Sequence, residues 1–303
     1  MARGREEVVA DRTEVVRLRQ GPYELEVCPG QGGCMTAFRH RGRDLLRPAT
    51  ARYFADGDAR EASSFPLVPF SNRIADARFG FRGQKYRLVR NSAPEPHAIH
   101  GDGWQNPWVV ADATRSRAVL DFAHRSAGTP LDYCARQTFA LGERGLAVTV
   151  EIVNAGPSPM PAGLGLHPYF GRSEGVTLQA RLDHVWLPDE RKIPKQRVAL
   201  PAPWDFVRGR RLGPLDLDHC FGGWDGAARI HWPETDLTLA IAAEPLFRHL
   251  VVYVPPGQDF FCIEPVSHVN DGFNLLDRGV AGTGVRILEP GERLAGVIRL
   301  SVV

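Results

Sequence analysis

Hydrophobic and polar residues alternate with a period of two along most of the chain. The segments LDYCARQTFAL and LAVTVEIVNAG show the alternation most clearly, and a short turn at residues 142–145 separates them. Successive side chains of a β-strand point to opposite faces of a sheet, so this pattern predicts two strands joined as a hairpin. The segment FGFRGQKYRLVRN predicts a second hairpin, with its turn at Arg82 and Gly83.

The same period continues to the end of the sequence and indicates a fold made almost entirely of strands. Further strand candidates are VTLQARLDHVWL, ARIHWP, LTLAIAAE, FRHLVVYVPPG and GERLAGVIRLSVV. Most of the 31 glycines and 24 prolines fall between these runs, as expected for strands with short turns. No long helix is predicted, although FNLLDRG is compatible with a helical turn. We therefore predict an all-β fold with one domain over residues 1–303, built as a large β-sandwich, with residues 1–14 as a flexible or peripheral arm.

Composition and charge argue against several classes of partner. The net charge of the 303 residues is only +2, which favours neither nucleic acid nor an acidic membrane surface as a partner. No apolar run reaches the roughly 18 residues needed to span a bilayer, and MARGREEVVADRTE lacks the apolar core of a signal peptide. The five cysteines are scattered and lack C-x-x-C spacing, which is typical of a reducing compartment. These features predict a cytoplasmic protein with no membrane or nucleic-acid partner.

A strand that ends in a carboxylate is the first indication of a functional site. In FFCIEPVSHVNDGFN, the apolar residues 260–263 lead directly into Glu264, and Pro265 follows. Desolvating an ionised carboxylate costs free energy unless another group compensates. Desolvation would raise the pKa of Glu264, and an arginine such as Arg73 nearby would lower it again.

Four other titratable side chains stand at the edges of apolar segments, beside turn residues. They are Arg73 in SNRIAD, His100 in PHAIHGDGW, His167 in GLGLHPYF and Asp218 in LDHCF. Taken singly, each has an ordinary structural explanation as a core histidine, a turn aspartate or a surface ion pair. Strand ends and loops of a rigid scaffold are also where binding groups are displayed. If these side chains converge with Glu264, the whole domain builds one cleft.

Three rival motifs do not fit their local context. His97 and His100 have the spacing of a metal-binding pair, but positions three apart on a strand face opposite ways. GRSEG matches a serine-nucleophile motif, yet a strand rather than a helix is predicted after it. GVAGTG is too loose for a dinucleotide-binding loop. The sequence also has no Cys/His cluster with zinc spacing, so it predicts no metal site.

A carboxylate accompanied by histidines, without a nucleophile or a metal cage, suits simple proton transfer. The interconversion of sugar anomers needs such a pair, because a base must remove the proton of the anomeric hydroxyl while an acid protonates the ring oxygen. The ring then opens and the aldehyde group rotates. Closure on the other face of the aldehyde gives the other anomer.

The order of the motifs resembles the aldose 1-epimerase (galactose mutarotase-like) family. The matching motifs are NRI at residues 72–74, IHG at 99–101, HPYF at 167–170, LDH at 217–219 and the late Glu264. The resemblance runs from Val15 to the C-terminus and implies a β-supersandwich with an open sugar-binding cleft and no cofactor. It also implies that Glu264 is the general base and His167 the general acid.

The resemblance implies a set of sugar-binding side chains around this pair. They are His100, which hydrogen-bonds near the ring oxygen, Arg73 and Asp218, which clamp sugar hydroxyls, and the neighbouring Asn72 and Trp104. The apolar face of a sugar also prefers an aromatic wall, and the candidates for it are Trp104, Trp224 and Phe273.

The identity of the sugar stays open because several positions depart from the galactose-type pattern. Asp102 stands where a second glycine is common, Pro168 follows the acid histidine, and EPVSHVND replaces the usual surroundings of the base. The predicted partner is therefore a small free aldose, with hexose, pentose, deoxy and acidic sugars all open.

Two alternatives to a mutarotase of free aldoses also stay open. The first is a non-catalytic carbohydrate-binding or sensor protein of the same fold, although such a binder needs no tuned acid and base. The second is a sugar-phosphate mutarotase, whose cationic pocket would be supplied by Arg208, Arg210 and Arg211.

Overall fold

Strands account for most of the ordered secondary structure. The computed structural model describes residues 12–126, 128–213 and 215–303. Residues 1–11 of the predicted arm at residues 1–14 therefore lie outside the described residues. In chain order the first strands are β1 (Val16–Gln20), β2 (Tyr23–Cys28), β3 (Cys34–His40), β4 (Arg43–Asp44), β5 (Ser64–Leu67), β6 (Arg73–Ile74), β7 (Arg78–Phe81), β8 (Gln84–Arg87), β9 (Ala98–Ile99), β10 (Val109–Ala113), β11 (Arg117–His124), β12 (Tyr133–Gly142) and β13 (Gly145–Asn154). The later strands are β14 (Met160–Ala162), β15 (Gly165–Gly171), β16 (Thr177–Ala180), β17 (His184–Pro188), β18 (Pro194–Ala199), β19 (Arg210–Arg211), β20 (Leu217–Gly222), β21 (Ala227–Trp232), β22 (Leu237–Ala243), β23 (His249–Val254), β24 (Phe260–Val266), β25 (Arg286–Leu288) and β26 (Arg293–Val302).

Helices are short and few across the described residues. They are the α-helices α1 (Ala51–Asp56) and α2 (Gly272–Asp277) and the 3₁₀ turns Ala59–Glu61, Ala75–Ala77 and Ala202–Trp204. Helix α2 coincides with the predicted helical turn in FNLLDRG. Neither α-helix, nor any other helix in the described parts of the chain, has the length and hydropathy required to cross a membrane.

Two large antiparallel sheets organise the strands. The eleven-stranded sheet has the order β1-β2-β3-β5-β15-β24-β23-β20-β17-β18, with β4 paired to β3. The nine-stranded sheet has the order β10-β11-β12-β13-β26-β22-β21-β16-β19. One hydrophobic cluster contains buried residues of both sheets, such as Phe139 and Val148 on one and Phe261 and Ile263 on the other. The two sheets therefore pack face to face, and the predicted all-β sandwich is confirmed.

The two predicted hairpins are also confirmed. Strands β12 and β13 pair in register from Tyr133↔Asn154 to Gly142↔Gly145. Strands β7 and β8 turn at Arg82 and Gly83, both of which have a positive φ angle. A two-residue turn of this kind matches the right-handed twist of the flanking strands.

The predicted strand VTLQARLDHVWL is wrong as a single element. Its first half is β16 in the nine-stranded sheet, and its second half is β17 in the eleven-stranded sheet. The residues in the sandwich core are Val176, Leu178, Ala180 and Leu182 before the break and Val185 after it, whereas Trp186 is buried in a different cluster. The alternation of core positions therefore changes phase where the chain crosses between sheets. A shift of one residue reverses which face each side chain takes, and this shift is the sequence signal of the crossover.

The eleven-stranded sheet has a second buried face, opposite the sandwich core. It carries a separate cluster that includes Phe65, Tyr169, Val251 and Cys262, with Tyr53 of α1 packed against it. We call this surface the cleft face. The polar residues singled out in the sequence lie on it or beside it.

Candidate active site

Strand register brings His167 and Glu264 side by side on the cleft face. The pairs Gly165↔Val266 and Tyr169↔Cys262 join β15 to β24, which sets His167 level with Glu264. Phe65 of β5 pairs with His167 on one side, and Val251 of β23 pairs with Glu264 on the other. Residues opposite one another in a ladder share a face, so these four side chains form a row across four strands.

The two side chains of this pair are close enough for proton transfer. His167 Nε2 lies 3.3 Å from Glu264 Oε1, and both residues line an open cleft of about 720 Å³. His167 is 6% exposed and Glu264 is 2% exposed. The second carboxyl oxygen, Oε2, has no hydrogen-bond partner among the described residues.

Burial shifts the pKa of each member of the pair toward its neutral form. Desolvation is the main cause that raises the pKa of Glu264 well above its usual range; Asp218 adds to the rise, and Arg73 opposes it. Desolvation likewise lowers the pKa of His167 to about 3, with Arg47 contributing to the decrease. The sequence predicts both effects on the pKa of Glu264, the rise caused by burial and the opposing effect of Arg73. The carboxylic acid thus titrates above the imidazole, so a single proton held by the pair is on Glu264 in the free protein.

His100 is held beside this pair in a defined tautomer. Its Nδ1 accepts a hydrogen bond from the backbone N–H of Asn72 at 3.1 Å, so the ring proton of the neutral imidazole is on Nε2. Burial, followed by the charges of His167 and Arg73, holds the pKa of His100 well below its usual range. The His100 and His167 rings meet edge-on, with centroids 5.2 Å apart.

The backbone conformation at His100 depends on Gly101, the residue that follows it. His100 has a φ angle of 61° and Gly101 one of 71°. A Cβ atom on Gly101 would lie 2.1 Å from the carbonyl oxygen of Val68. Any side chain at this position would therefore force the backbone next to His100 to move.

Arg73 and Asp218 belong to a polar group on one side of the cleft. Arg73 Nε donates to Glu95 Oε2 at 3.0 Å, and its Nη1 donates to Asn72 Oδ1 at 3.1 Å. Asp218 Oδ2 lies 3.7 Å from Arg73 Nη1 and accepts a hydrogen bond from Lys192 Nζ at 2.9 Å. This group offers both donors and acceptors, as recognition of sugar hydroxyls requires.

The aromatic wall of the cleft differs in part from the predicted one. Trp104 lines the cleft and contacts Phe65 and His100. The predictions of Trp224 and Phe273 are wrong: neither lines the cleft, and both are buried in the main hydrophobic cluster, Phe273 from helix α2 against Phe70 and Phe79. The additional aromatic residues of the cleft are Phe65, Tyr169, Tyr253 and Phe260.

Several cleft residues were missed in the sequence. Besides the aromatic residues, they include Arg47, Glu95 and Lys192. Tyr169 could have been found, since it stands two positions after His167 and a period of two returns it to the same face. Arg47 lies in a segment without periodicity and carried no signal.

The rival motifs have structural roles in the folded chain. His97 Nδ1 accepts from the backbone N–H of Asp76, and its Nε2 hydrogen-bonds the carbonyl of Arg191 at 3.1 Å, so it holds two loops together. Ser173 of GRSEG donates to Glu234 at 2.8 Å, outside the cleft. The predicted strand after GRSEG is present as β16.

The arginine cluster does not supply the cationic pocket that a sugar-phosphate enzyme would need. Arg210 and Arg211 form β19 at the edge of the nine-stranded sheet, and Arg211 pairs with Glu174. None of Arg208, Arg210 and Arg211 lines the cleft.

One group of side chains on the cleft face has a spacing suitable for a cation. The ligating atoms of His167, Cys262 and Glu264 all lie within 4.8 Å of one another. Burial raises the pKa of the Cys262 thiol well above its usual range, so this cysteine is a poor ligand until it loses its proton. The absence of a metal requirement stays a prediction.

Comparison with known proteins defines the family. Residues 14–301 match the aldose 1-epimerase family. The chain is 32% identical over 296 residues to the uncharacterized protein YphB of Escherichia coli K12, covering 95% of this chain and 98% of YphB. The uncharacterized protein YihR of the same organism is 24% identical over 237 residues, 75% of this chain and 74% of YihR.

Solved structures agree with the sequence match. An Escherichia coli K12 protein provisionally described as an aldose 1-epimerase superposes with a TM-score of 0.87 at 32% identity, covering 96% of this chain and 99% of that one. A galactose mutarotase-like protein of Clostridium acetobutylicum has the same fold, with a TM-score of 0.84 at 20% identity over 98% and 97% of the two chains. Sequence and fold together make this chain a member of the aldose 1-epimerase family.

Proposed function

We propose that the protein interconverts the α and β anomers of a free aldose. The observation that supports this most strongly is the pairing of His167 Nε2 with Glu264 Oε1 at 3.3 Å on the floor of an open polar cleft. A carboxylate and an imidazole at this distance can share one proton, so the pair can take a proton from one oxygen of a bound substrate and give its own to another. A sugar-binding protein without turnover would have no use for this arrangement.

The mechanism needs one base and one acid. In the sugar complex the proton of the pair passes from Glu264 to His167 across their contact. Glu264 then takes the proton from the hydroxyl on C1 while His167 gives its proton to the ring oxygen, and the bond between C1 and the ring oxygen breaks. The open-chain aldehyde rotates about the C1–C2 bond. Closure reverses the two proton transfers, so the pair ends with the proton it started with and no other reactant is consumed.

The side chains around the pair would orient the sugar. The Nε2–H of His100 is a donor next to the ring oxygen, while Arg73 and Asp218 provide a donor and an acceptor for hydroxyl groups. Binding a polar sugar also changes the surroundings of Glu264, because the substrate hydroxyls donate to the carboxylate. Such donation favours the ionised form that a base requires.

Exchange NMR on equilibrated sugars tests the proposal. The purified protein is incubated with glucose, galactose, xylose, arabinose and fucose in turn, and the rate of anomer exchange is compared with that in buffer alone. We expect exchange well above the buffer rate for at least one sugar. Saturable binding of these sugars without any acceleration would support the non-catalytic binder instead.

The same experiment also tests whether activity needs a metal ion, since His167, Cys262 and Glu264 are close enough to hold a cation. We expect the exchange rate to persist after exhaustive dialysis against EDTA. Loss of exchange on chelation, with recovery on addition of Zn²⁺, would contradict the proposed acid–base mechanism.

A further inference from the structure

Arg47 extends a column of stacked side chains along the cleft. The Phe65 and His167 rings stack with centroids 4.4 Å apart, and the His167 and Tyr169 rings stack at 4.8 Å. The guanidinium carbon of Arg47 lies 4.2 Å from the Tyr169 centroid and 4.8 Å from that of Phe260. Arg47 thus continues the line that begins at the acid histidine, and it lines the same cleft.

Arg47 differs from the other cations of the cleft in its pairing. The other four, Arg52, Arg60, Arg73 and Lys192, each have a carboxylate oxygen 2.8 to 3.8 Å away. The described residues provide no such ion pair for Arg47. Its Nη2 donates to the backbone carbonyls of Arg60 and Ala62 at 2.7 and 2.9 Å, and its Nε has no hydrogen-bond partner there.

This arrangement fixes a positive charge without neutralising it. Two carbonyls and two aromatic rings hold the guanidinium plane in place, so little conformational freedom is left to lose when a ligand binds. An arginine preorganised in this way is suited to a carboxylate or a phosphate, whose oxygens match its donors. A neutral hydroxyl would leave the charge uncompensated.

The register locates Arg47 relative to the reacting atoms. Tyr169 stands on β15, two residues beyond His167, whereas Asp218 lies three strands away on β20, in the row Tyr169, Cys262, Tyr253 and Asp218. Three strand spacings separate Tyr169 from Asp218 by about 14 Å. Arg47, which stacks on Tyr169, acts on the charge of His167, whereas Arg73 acts on that of Glu264. Arg47 is therefore on the side of His167, the proposed proton donor to the ring oxygen.

We propose that the substrate is an aldose with an anionic group, a carboxylate or a phosphate, in the substituent of the ring carbon that lies next to the ring oxygen and is not C1. The ring oxygen has two carbon neighbours. C1 belongs to the Glu264 side, so the substituent on the other carbon extends past His167 toward Arg47. This inference rests on the proposed function for the orientation of the sugar.

A purely structural role for Arg47 would have different consequences. Its hydrogen bonds to the carbonyls of Arg60 and Ala62 also hold in place the segment that follows α1 in the chain. A brace would affect every substrate equally, whereas an anion-binding group changes the ratio between charged and neutral sugars. The ratio is therefore the quantity to measure.

The experiment compares glucose, glucuronate and glucose 6-phosphate as substrates by exchange NMR. We expect kcat/KM for one of the two anionic sugars to exceed that for glucose by about 10- to 100-fold, as expected for a charge-assisted hydrogen bond. Arg47→Met should remove most of this preference. The matched control is Arg52→Met, which removes an exposed cleft arginine that already pairs with Glu61 at 3.8 Å and should leave the ratio within about twofold. Carboxylate and phosphate are distinguished by which anionic sugar is favoured.

Each outcome separates this inference from the proposed function. Turnover of glucose at a rate equal to or above both anionic sugars would overturn the inference and leave the mutarotase intact. Equal loss for all three sugars in Arg47→Met would also overturn it in favour of a brace. Calorimetric binding of an anionic sugar that depends on Arg47, with no exchange of any sugar, would support the anion site while contradicting the mutarotase.

Discussion

The hairpin β12–β13 and the strand pair β15–β24 bury their side chains in different ways. Along β12 and β13, inward residues such as Phe139 and Val148 are buried, and the alternate residues are at least partly exposed. Along β15 and β24, almost every residue is buried. In both pairs successive side chains point to opposite faces of the sheet, but in the second pair both faces are covered.

What the second face contains is the important difference. On β15 and β24, Leu166 and Ile263 face the sandwich core, while His167 and Glu264 face the cleft. Burying titratable groups costs free energy, whereas apolar side chains would stabilise the same positions. Such a cost is commonly found at functional sites. The nine-stranded sheet therefore supports the fold, and the cleft face of the eleven-stranded sheet carries the candidate active site.

The largest expected effect is on the cleft face. We expect His167→Asn to lower kcat by about 10²- to 10⁴-fold with little change in KM, because a general acid acts mainly in the transition state. Exchange NMR over a range of substrate concentrations separates the two constants. A rise in KM alone would mean that His167 binds the sugar and that the acid is another group, with His100 the first candidate.

A cavity beneath the nine-stranded sheet should lower the stability of the fold and spare kcat. Ile152 on β13 is fully buried between the sheets. Ile152→Ala should lower the free energy of unfolding by about 2–5 kcal/mol and leave kcat nearly unchanged in the folded protein. Denaturant unfolding and exchange NMR on the same sample test both parts. A large loss of kcat without loss of stability would contradict the division of roles.

The smallest effect we predict is a gain of stability in Glu264→Gln. Folding raises the pKa of Glu264 above its ordinary value of 4.5, so the folded state holds this proton more tightly than the unfolded chain does. The resulting stability is complete below pH 4.5 and is lost as pH rises toward the folded pKa. Glutamine stays neutral throughout, so the variant should exceed the wild type in Tm by a few degrees at pH 7 and by less at pH 4.

Calorimetry at the two pH values tests this linkage. A Glu264→Gln protein that is less stable than the wild type at pH 7, and equally so at pH 4, would mean that the carboxylate is compensated where it lies. Burial of the Glu264 carboxylate would then not lower the free energy of unfolding.

The sequence predicts the two regions unequally, for a physical reason. The β12–β13 hairpin is exposed on one face, so its pattern gives both the strands and their turn. Glu264 was found because a carboxylate interrupts an apolar run, and His100, Arg73 and Asp218 because polar residues stand beside turns. Arg47 was missed because its position depends on contacts with distant residues, and Trp224 was misassigned because an aromatic residue fits a core as well as a sugar-binding wall.

The catalytic pairing of Glu264 with His167 is tested most directly by anomer exchange in Glu264→Gln. Glutamine keeps the size of the side chain and removes the base, so the exchange rate of the best substrate should fall by at least about 10²-fold while the protein remains folded. Calorimetry on the same preparation establishes the folded state. Exchange close to the wild-type rate in folded Glu264→Gln would contradict the assignment of Glu264 as the base.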